Sequence, residues 1–216
     1  MKTVAVVPMK LRNVRCPNKN TKSFTNGSPL CTYILNTLLK VNEIDEVYVY
    51  CSDTAIQEYL PQGVKFLQRS QNLDLDTTKM NEVLDCFANE VPADVYVMTH
   101  ATSPFVSADS IKKGVQAVKE QGYDSAFAAK KIQDFLWKDN KPFNYQLDQI
   151  PRTQDLEPLL QETSGFYIYE KNVICDMGRR IGNRPYIVEV SEIESFDIDE
   201  QIDFEIADAI FNYFYR

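Results

Sequence analysis

The sequence lacks the features that mark membrane, secreted or nucleic-acid-binding proteins. No apolar run in its 216 residues is long enough to cross a bilayer, and its start shows no signal-peptide pattern. The formal net charge is −8, which argues against a general nucleic-acid-binding protein. We therefore predict no membrane and no nucleic-acid polymer as a partner. An anionic nucleotide would have to be held by local cations, with the help of a metal ion.

Cysteine pairs are also missing. The five cysteines are scattered along the chain, and none forms a CxxC pair. This usage argues against a disulfide framework or a zinc site and indicates reduced thiols, so we expect a cytoplasmic protein. Cys16 lies in a polar loop and is predicted to be exposed, whereas the other four are expected to fill the core.

Short apolar runs alternate with helical patterns along the chain, which predicts an α/β protein. We expect a single three-layer nucleotide-binding domain over residues 1–216, with a mostly parallel sheet and helices on both faces. The predicted strands are 3–8, 47–51, 64–67, 95–98, 125–129, 165–169 and 186–190. The predicted helices are 29–41, 80–90, 107–121 and a last one from about residue 200.

The alternation stops between about residues 130 and 165. This stretch is polar and contains Pro142, Pro151 and Pro158 together with scattered aromatic residues. A long irregular stretch in a compact domain is usually a lid, a binding loop or an interface arm. We predict an arm or lid that contacts the acceptor substrate or a second copy of the chain.

The loop after the first strand carries four cations, which are Lys10, Arg12, Arg15 and Lys19. Loops at the carboxyl ends of strands are where open α/β sheets bind ligands. A cluster of cations in this place favours a polyanion such as a triphosphate. The alternative is a solvated basic loop on an acidic protein.

Two acidic residues flank an apolar one in Asp197-Ile198-Asp199, just before the last predicted helix. Two carboxylates in a turn or extended segment can hold one metal ion, and together with substrate phosphates and waters they suit Mg²⁺. The alternative is that Asp199 caps the helix.

The two ends of the chain resemble a known family. Residues 7–10 and 15–20 resemble the opening signature of the acylneuraminate cytidylyltransferases, the CMP-sialic acid synthetases and their relatives, and residues 195–207 closely resemble the closing signature. In three places the chain departs from the family: Lys10 replaces an Arg, Arg12 and Asn13 replace Gly-Ser, and Val14 replaces a Lys. The resemblance implies that Asp197 and Asp199 hold the catalytic Mg²⁺. It also implies CTP as co-substrate, contacted by the residues Lys10, Arg12, Arg15, Lys19, Asn20, Arg69 and Asp76.

The acceptor half matches the family less well. His100 takes the place of a Gln that contacts the acceptor sugar, and Thr163 replaces an Asn. The resemblance implies acceptor contacts at His100, Thr102, Lys130, Arg152 and Thr163. His100 is the only histidine and could instead be a base for the nucleophile, or simply a strand-ending residue with a hydrogen-bonded ring. We place it with Lys19 and the two aspartates among the candidate catalytic residues.

Taken together, the resemblance implies a CTP-dependent cytidylyltransferase that joins an acidic, nonulosonic-type sugar or a related acid to CMP and releases pyrophosphate. The expected partners are CTP, a small anionic acceptor and a second copy in a homodimer, and the expected process is surface polysaccharide biosynthesis. Composition and spacing alone indicate a phosphate-binding α/β enzyme with an acidic metal site. Two alternatives are a glycosyltransferase that uses a nucleotide sugar and an inactive nucleotide-binding homologue.

Overall fold

The computed structural model describes residues 1–12 and 15–214, so Asn13 and Val14 of the predicted phosphate loop lie outside the described residues. The strands in this part of the chain are β1 Thr3–Met9, β2 Glu46–Cys51, β3 Val64–Gln68, β4 Val95–Thr99, β5 Ser125–Ile132, β6 Trp137–Lys138, β7 Lys141–Pro142, β8 Leu159–Glu170 and β9 Pro185–Val190. The α-helices are α1 Leu30–Leu38, α2 Met80–Glu90, α3 Ala108–Glu120, α4 Lys171–Cys175 and α5 Gln201–Phe214. Each predicted strand and helix is present, which confirms the α/β fold class.

Seven strands form one sheet in the order β3-β2-β1-β4-β8-β5-β9. Neighbours are parallel except that β8 runs antiparallel to both β4 and β5. The chain order reverses between β1 and β4, which lie side by side. This switch point opens a crevice at the carboxyl ends of β1 and β4, where α/β sheets of this kind bind ligands.

Helices cover both faces of the sheet and make three layers. One core cluster joins α1 and α3 to residues such as Ala5 and Val7, and a second joins α2 and α4 to Val4 and Val6. The central strand β1 is buried along its whole length. A strand buried on both faces reads as a continuous apolar run, which explains why the sequence predicts it clearly.

A third cluster packs α5 against the two loops that carry the predicted site. It contains Cys16, Phe24, Leu30, Ile198 and Phe204. The prediction that Cys16 is exposed is wrong, because its side chain fills this cluster. The other four thiols are divided: two are buried, and two near the surface are only partly covered.

The strands β5 and β8 extend into the predicted arm, where Lys130 pairs with Gln161 and Ile132 with Leu159. The irregular part is therefore 133–158, which contains the β6–β7 hairpin and a single 3₁₀ turn at Thr153–Asp155. Its role as an arm or lid stays a prediction. Among residues 1–12 and 15–214, no helix combines the length and apolar character needed to cross a membrane.

The loop between α4 and β9 is anchored by Asp124. Its carboxylate accepts the main-chain N–H groups of Asn183 at 2.7 Å and Arg184 at 2.9 Å. Gly182 lies against this carboxylate so closely that a Cβ there would be 2.3 Å from the Asp124 Oδ1. A larger residue at this position would therefore require the Asp124 carboxylate to shift.

Gly182→Ala should lower the free energy of unfolding by about 1–3 kcal/mol, because the carboxylate is held by its hydrogen bonds and cannot move aside freely. Urea unfolding measures this as a shift of the midpoint at constant slope. Arg184→Ala is the matched control, since it keeps the main-chain N–H that Asp124 accepts. Equal midpoints for wild type and Gly182→Ala would show that the anchor is not tight.

Candidate active site

The loop after β1 and the segment before α5 meet at the carboxyl edge of the sheet. The Lys19 Nζ donates to the Ile198 carbonyl at 2.7 Å and lies 3.6 Å from an Asp199 carboxylate oxygen. The Arg15 Nη2 donates to the same carboxylate at 2.8 Å. The Ile198 N–H donates to the Thr102 carbonyl at 2.9 Å, which ties the segment to the loop after β4. Predicted phosphate cations and predicted metal ligands are thus brought together.

The Asp199 side chain is not needed to cap helix α5. The main-chain N–H groups of Asp199 and Glu200 donate to the Asp203 carboxylate at 3.0 and 2.7 Å. Asp203 therefore supplies the cap, and the alternative that Asp199 caps the helix is wrong. Ile198 between the two aspartates is fully buried, which fixes the segment.

Asp197 presents an unusual carboxylate. Its Oδ2 accepts from the Ser164 Oγ at 2.8 Å, while its Oδ1 is buried with no hydrogen-bond partner among the described residues. A buried carboxylate oxygen without a partner is costly unless a cation meets it. The part of the chain described here holds no group of three or more His, Cys, Asp or Glu side chains suited to a metal. Two carboxylates, with substrate phosphates and waters, are nevertheless the donor set that Mg²⁺ commonly has, so these residues fit it.

His100 follows β4 and is electrostatically coupled to this site. Burial, reinforced by the charges of Arg180 and Lys19, lowers its pKa from 6.5 to about 4, although Asp197 and Asp199 act in the opposite direction. His100 is therefore neutral near pH 7, and its imidazole can both donate and accept a hydrogen bond.

A cleft beside the first loop has the size for a nucleotide. Two adjoining cavities of about 400 and 230 Å³ share Lys10, Asp74, Leu75 and Asp76 as lining residues. The larger cavity also reaches Arg12, whose side chain is exposed. The Lys10 Nζ lies 3.1 Å from an Asp76 oxygen, so two predicted nucleotide contacts form an ion pair at the rim.

Arg69 forms the inner wall of the smaller cavity. Its side chain is only 5% exposed, and its Nη2 donates to the Asp74 Oδ1 at 2.7 Å. Its buried Nε has no hydrogen-bond partner in the described residues. Asn20 is also buried, and its Nδ2 donates to the Lys10 carbonyl at 3.0 Å, so it shapes the loop. The Asp74 side chain is 28% exposed, so this ion pair is partly buried.

The predicted acceptor contacts do not come together in the same way. The Thr163 hydroxyl donates to the Ala128 carbonyl at 3.1 Å and is buried. Lys130 pairs with Glu192 at 3.1 Å, and Arg152 pairs with Asp155 through contacts of 2.7 and 3.0 Å on the exposed segment. Thr102 is linked to the site through its main-chain carbonyl. The acceptor roles of these four residues stay predictions.

The structure also places residues near Asp197 and on β8 that the sequence analysis did not identify. The Arg180 guanidinium lies 4.1 Å from the centre of the Tyr167 ring, and the Tyr167 hydroxyl donates to Glu162. Ser164, on the same strand, reaches Asp197. The one available signal was the concentration of arginines at positions 179, 180 and 184.

Comparison with known proteins shows the family of the chain. The family model described as cytidylyltransferase matches residues 4–215. The chain belongs to the cytidylyltransferase family. This membership confirms the resemblance found at the two ends of the sequence.

Curated members of the family align along most of the chain. N-acylneuraminate cytidylyltransferase A of Danio rerio is 28% identical over 202 residues, covering 89% of this chain and 46% of the relative. The chain spans about half the length of the fish relatives it matches. CMP-N,N'-diacetyllegionaminic acid synthase of Legionella pneumophila is 24% identical over 225 residues, covering 97% of this chain and 96% of the relative.

Solved structures of similar proteins share the fold. A CMP:2-keto-3-deoxy-manno-octonic acid synthetase complexed with CTP superposes with a TM-score of 0.76 at 18% identity, over 99% of both chains. The 4-diphosphocytidyl-2C-methyl-D-erythritol synthase of Anaerococcus prevotii gives 0.70 at 14% identity, over 98% of this chain and 96% of the other. These likenesses show that the chain shares the overall α/β fold of these structures.

His100 should make stability depend on pH. Its folded pKa of about 4 lies below the unfolded 6.5, so the unfolded chain takes up more protons between these values. The free energy of unfolding should therefore fall as pH decreases through this window, by up to about 3 kcal/mol from this group. Urea unfolding from pH 7.5 to 4.5 in EDTA, compared with His100→Gln, isolates the contribution. A constant difference between the two proteins at every pH would contradict the shifted pKa.

Proposed function

We propose that this chain transfers a cytidylyl group from CTP to an acidic sugar or related acid and releases pyrophosphate. The observation that carries the proposal is the meeting of Lys19 and Arg15 with Asp199 at the carboxyl edge of the sheet. Family membership supports cytidylyl transfer. The names of the relatives point to acidic sugars, and one structural neighbour was solved with CTP.

In this proposal the cleft at Lys10, Arg69 and Asp74 takes the nucleoside, and the loop cations take the terminal phosphates. In the structure, the Asp199 carboxylate forms ion pairs with Arg15 and Lys19. When CTP binds, its terminal phosphates replace Asp199 as the partner of these two cations. Asp197 and Asp199 would hold Mg²⁺, which when bound neutralises phosphate charge and helps orient the acceptor. The buried Asp197 Oδ1, which has no hydrogen-bond partner within residues 1–12 and 15–214, supports this assignment.

The reaction needs positioning and charge neutralisation more than covalent catalysis. An acceptor hydroxyl oxygen attacks the α-phosphorus in line, and the bond from that phosphorus to the β-phosphate oxygen breaks as pyrophosphate leaves. His100 is kept neutral, so its imidazole can accept a hydrogen bond from the attacking hydroxyl. The hydroxyl proton leaves to solvent water as the new phosphodiester forms.

The homodimer and the cytoplasmic location also belong to this proposal. Trp137, Phe143, Leu147 and Ile150 are exposed apolar residues of the segment 133–158, which supports an interface there. Sedimentation velocity tests it, and a monomer at high concentration would exclude it. The five free thiols agree with a reducing compartment, in which such an enzyme could supply surface polysaccharide synthesis.

Asp197→Asn and Asp199→Asn should each fold and lose at least about 100-fold in turnover, because charge stabilisation of transferring phosphates is a large effect. Pyrophosphate release from CTP, Mg²⁺ and an acidic acceptor measures this. Asp176→Asn is the control, since this exposed residue lies beside Met1 and Asp94 at the opposite edge of the sheet. Full turnover in both site variants at saturating Mg²⁺ would rule out the metal assignment.

Lys19→Ala and Arg15→Ala should weaken CTP binding about 10- to 100-fold and CMP binding much less. CMP lacks the terminal phosphates, and a charge-assisted contact to them is worth about 1.5–3 kcal/mol. Calorimetric titrations with both nucleotides measure the two effects. Lys40→Ala, an exposed cation just after α1, should leave both affinities unchanged. Equal losses for CTP and CMP would place the two residues away from the terminal phosphates.

A further inference from the structure

A second cationic cavity lies beside the candidate active site and has no assigned ligand. Its volume is about 390 Å³, and its charged lining residues are Lys79, Arg179, Arg180 and Glu162. Three cations against one carboxylate make this cavity positive within a protein of net charge −8. A local positive cavity on an acidic protein favours an anionic ligand.

Arg180 is the cation of this cavity with the most defined position. Its guanidinium stacks 4.1 Å from the centre of the Tyr167 ring, and its Nη2 donates to the Tyr167 hydroxyl at 3.3 Å. The nearest Glu162 oxygen is 3.8 Å away, beyond hydrogen-bond distance. Within residues 1–12 and 15–214, Tyr167 is its only hydrogen-bond partner, so most of its five N–H donors are available.

The loop that carries Arg180 is fixed on both sides. The Asn81 Nδ2 donates to the Gly178 carbonyl at 2.9 Å, and the Asp124 carboxylate accepts from the main chain of Asn183 and Arg184. Arg180 lies between these anchors. Its guanidinium is therefore held in place before any ligand arrives, which lowers the entropy cost of binding.

The strand pairing brings this guanidinium close to the reaction centre. Tyr167 lies opposite Met98 in the β4–β8 ladder, two residues before His100. Ser164, three residues before Tyr167 on β8, donates to Asp197. The charge of Arg180 also contributes to the low pKa of His100. The cavity also adjoins the nucleotide cleft at Arg69, because Met80 lines both.

The cations predicted for the acceptor have partners elsewhere. Lys130 is paired with Glu192, and Arg152 forms a two-bond pair with Asp155. Arg180 also forms an ion pair, with Glu162, but at 3.8 Å this pair is longer than those two, and the described residues place no carboxylate within hydrogen-bond distance of Arg180. Its planar guanidinium can therefore donate two parallel hydrogen bonds to an anion near His100.

We propose that Arg180 binds the anionic group of the acceptor, a carboxylate, phosphonate or phosphate, and so determines acceptor specificity. The inference rests on the proposed cytidylyl transfer for the identity of this anion as an acceptor. A guanidinium can bind such a group through two parallel hydrogen bonds, while Tyr167 holds its plane. The acceptor hydroxyl then lies on the side of His100 and Asp197.

The test separates acceptor binding from transfer. Calorimetry with CTP-saturated protein in EDTA, which removes Mg²⁺, measures binding of three hydroxyl-bearing acids: N-acetylneuraminate, 2-keto-3-deoxy-octonate and 2-hydroxyethylphosphonate. For the acid that binds wild type best, Arg180→Met should raise the Kd at least about 30-fold, and Arg180→Lys should raise it less because a lysine cannot form the fork. The Kd for CTP should change less than about twofold. The control Arg184→Met, an exposed residue of the same loop, should match wild type in both titrations.

Two outcomes would overturn the proposal: none of the three acids binds the wild-type protein, or Arg180→Met binds them as wild type does. Pyrophosphate release with Mg²⁺ is followed in parallel. Binding that Arg180→Met abolishes, without turnover in wild type, supports the anion site and contradicts the proposed function. Turnover that is equal in wild type and Arg180→Met supports the proposed function and contradicts the role of Arg180.

Discussion

The contact between the Lys19 ammonium and the segment at Ile198 and Asp199 joins residues 179 positions apart. It is largely shielded, because the Lys19 side chain is 12% exposed and Ile198 is fully buried below it. Shielded charge-assisted hydrogen bonds are stronger than those on an open surface. This contact places the ammonium of the loop after β1 beside the carboxylate that precedes α5. With it, cations and carboxylates form one site at the switch point of the sheet.

The arrangement of charges around Asp197 and Asp199 has a cost in stability that ligand binding explains. Asp199 pairs with two cations that we assign to phosphates, and one buried oxygen of Asp197 has no hydrogen bond from the part of the chain that the structure describes. An unsatisfied buried polar group costs about 1–3 kcal/mol. Such local strain is expected where a protein is built to bind a charged ligand. The apolar cluster of Cys16, Phe24 and Phe204 beneath the site offsets this cost and keeps both segments in place.

Much of the fold could be predicted from the sequence because its signals are local. The strand β1 is buried on both faces, so it appears as an unbroken apolar run, and the last helix follows a clear periodicity. Strand direction is not a local property, and the antiparallel placement of β8 therefore could not be read from the sequence. Cys16 was misjudged for a similar reason, since its cover comes from α5 at the other end of the chain.

The site also has residues that could be predicted from the sequence and residues that could not. Sequence motifs at the two ends identified the residues that meet around Asp199, because each motif is contiguous. The surroundings of Arg180 come from three distant elements, β8, α2 and the loop anchored by Asp124, and no spacing rule links them. The pairing of Lys130 with Glu192 likewise spans 62 positions, so the sequence alone does not reveal it, and the acceptor role of Lys130 stays a prediction.

The central claim is that this site makes a phosphodiester between CMP and an acid. Phosphorus NMR of the protein incubated with CTP, Mg²⁺ and an acidic acceptor tests it directly, since the product and pyrophosphate give separate signals. The account predicts a new phosphodiester signal that grows in equal amount with pyrophosphate and that is absent without acceptor. Unchanged CTP with every acidic acceptor, or CMP and pyrophosphate without any conjugate, would contradict it.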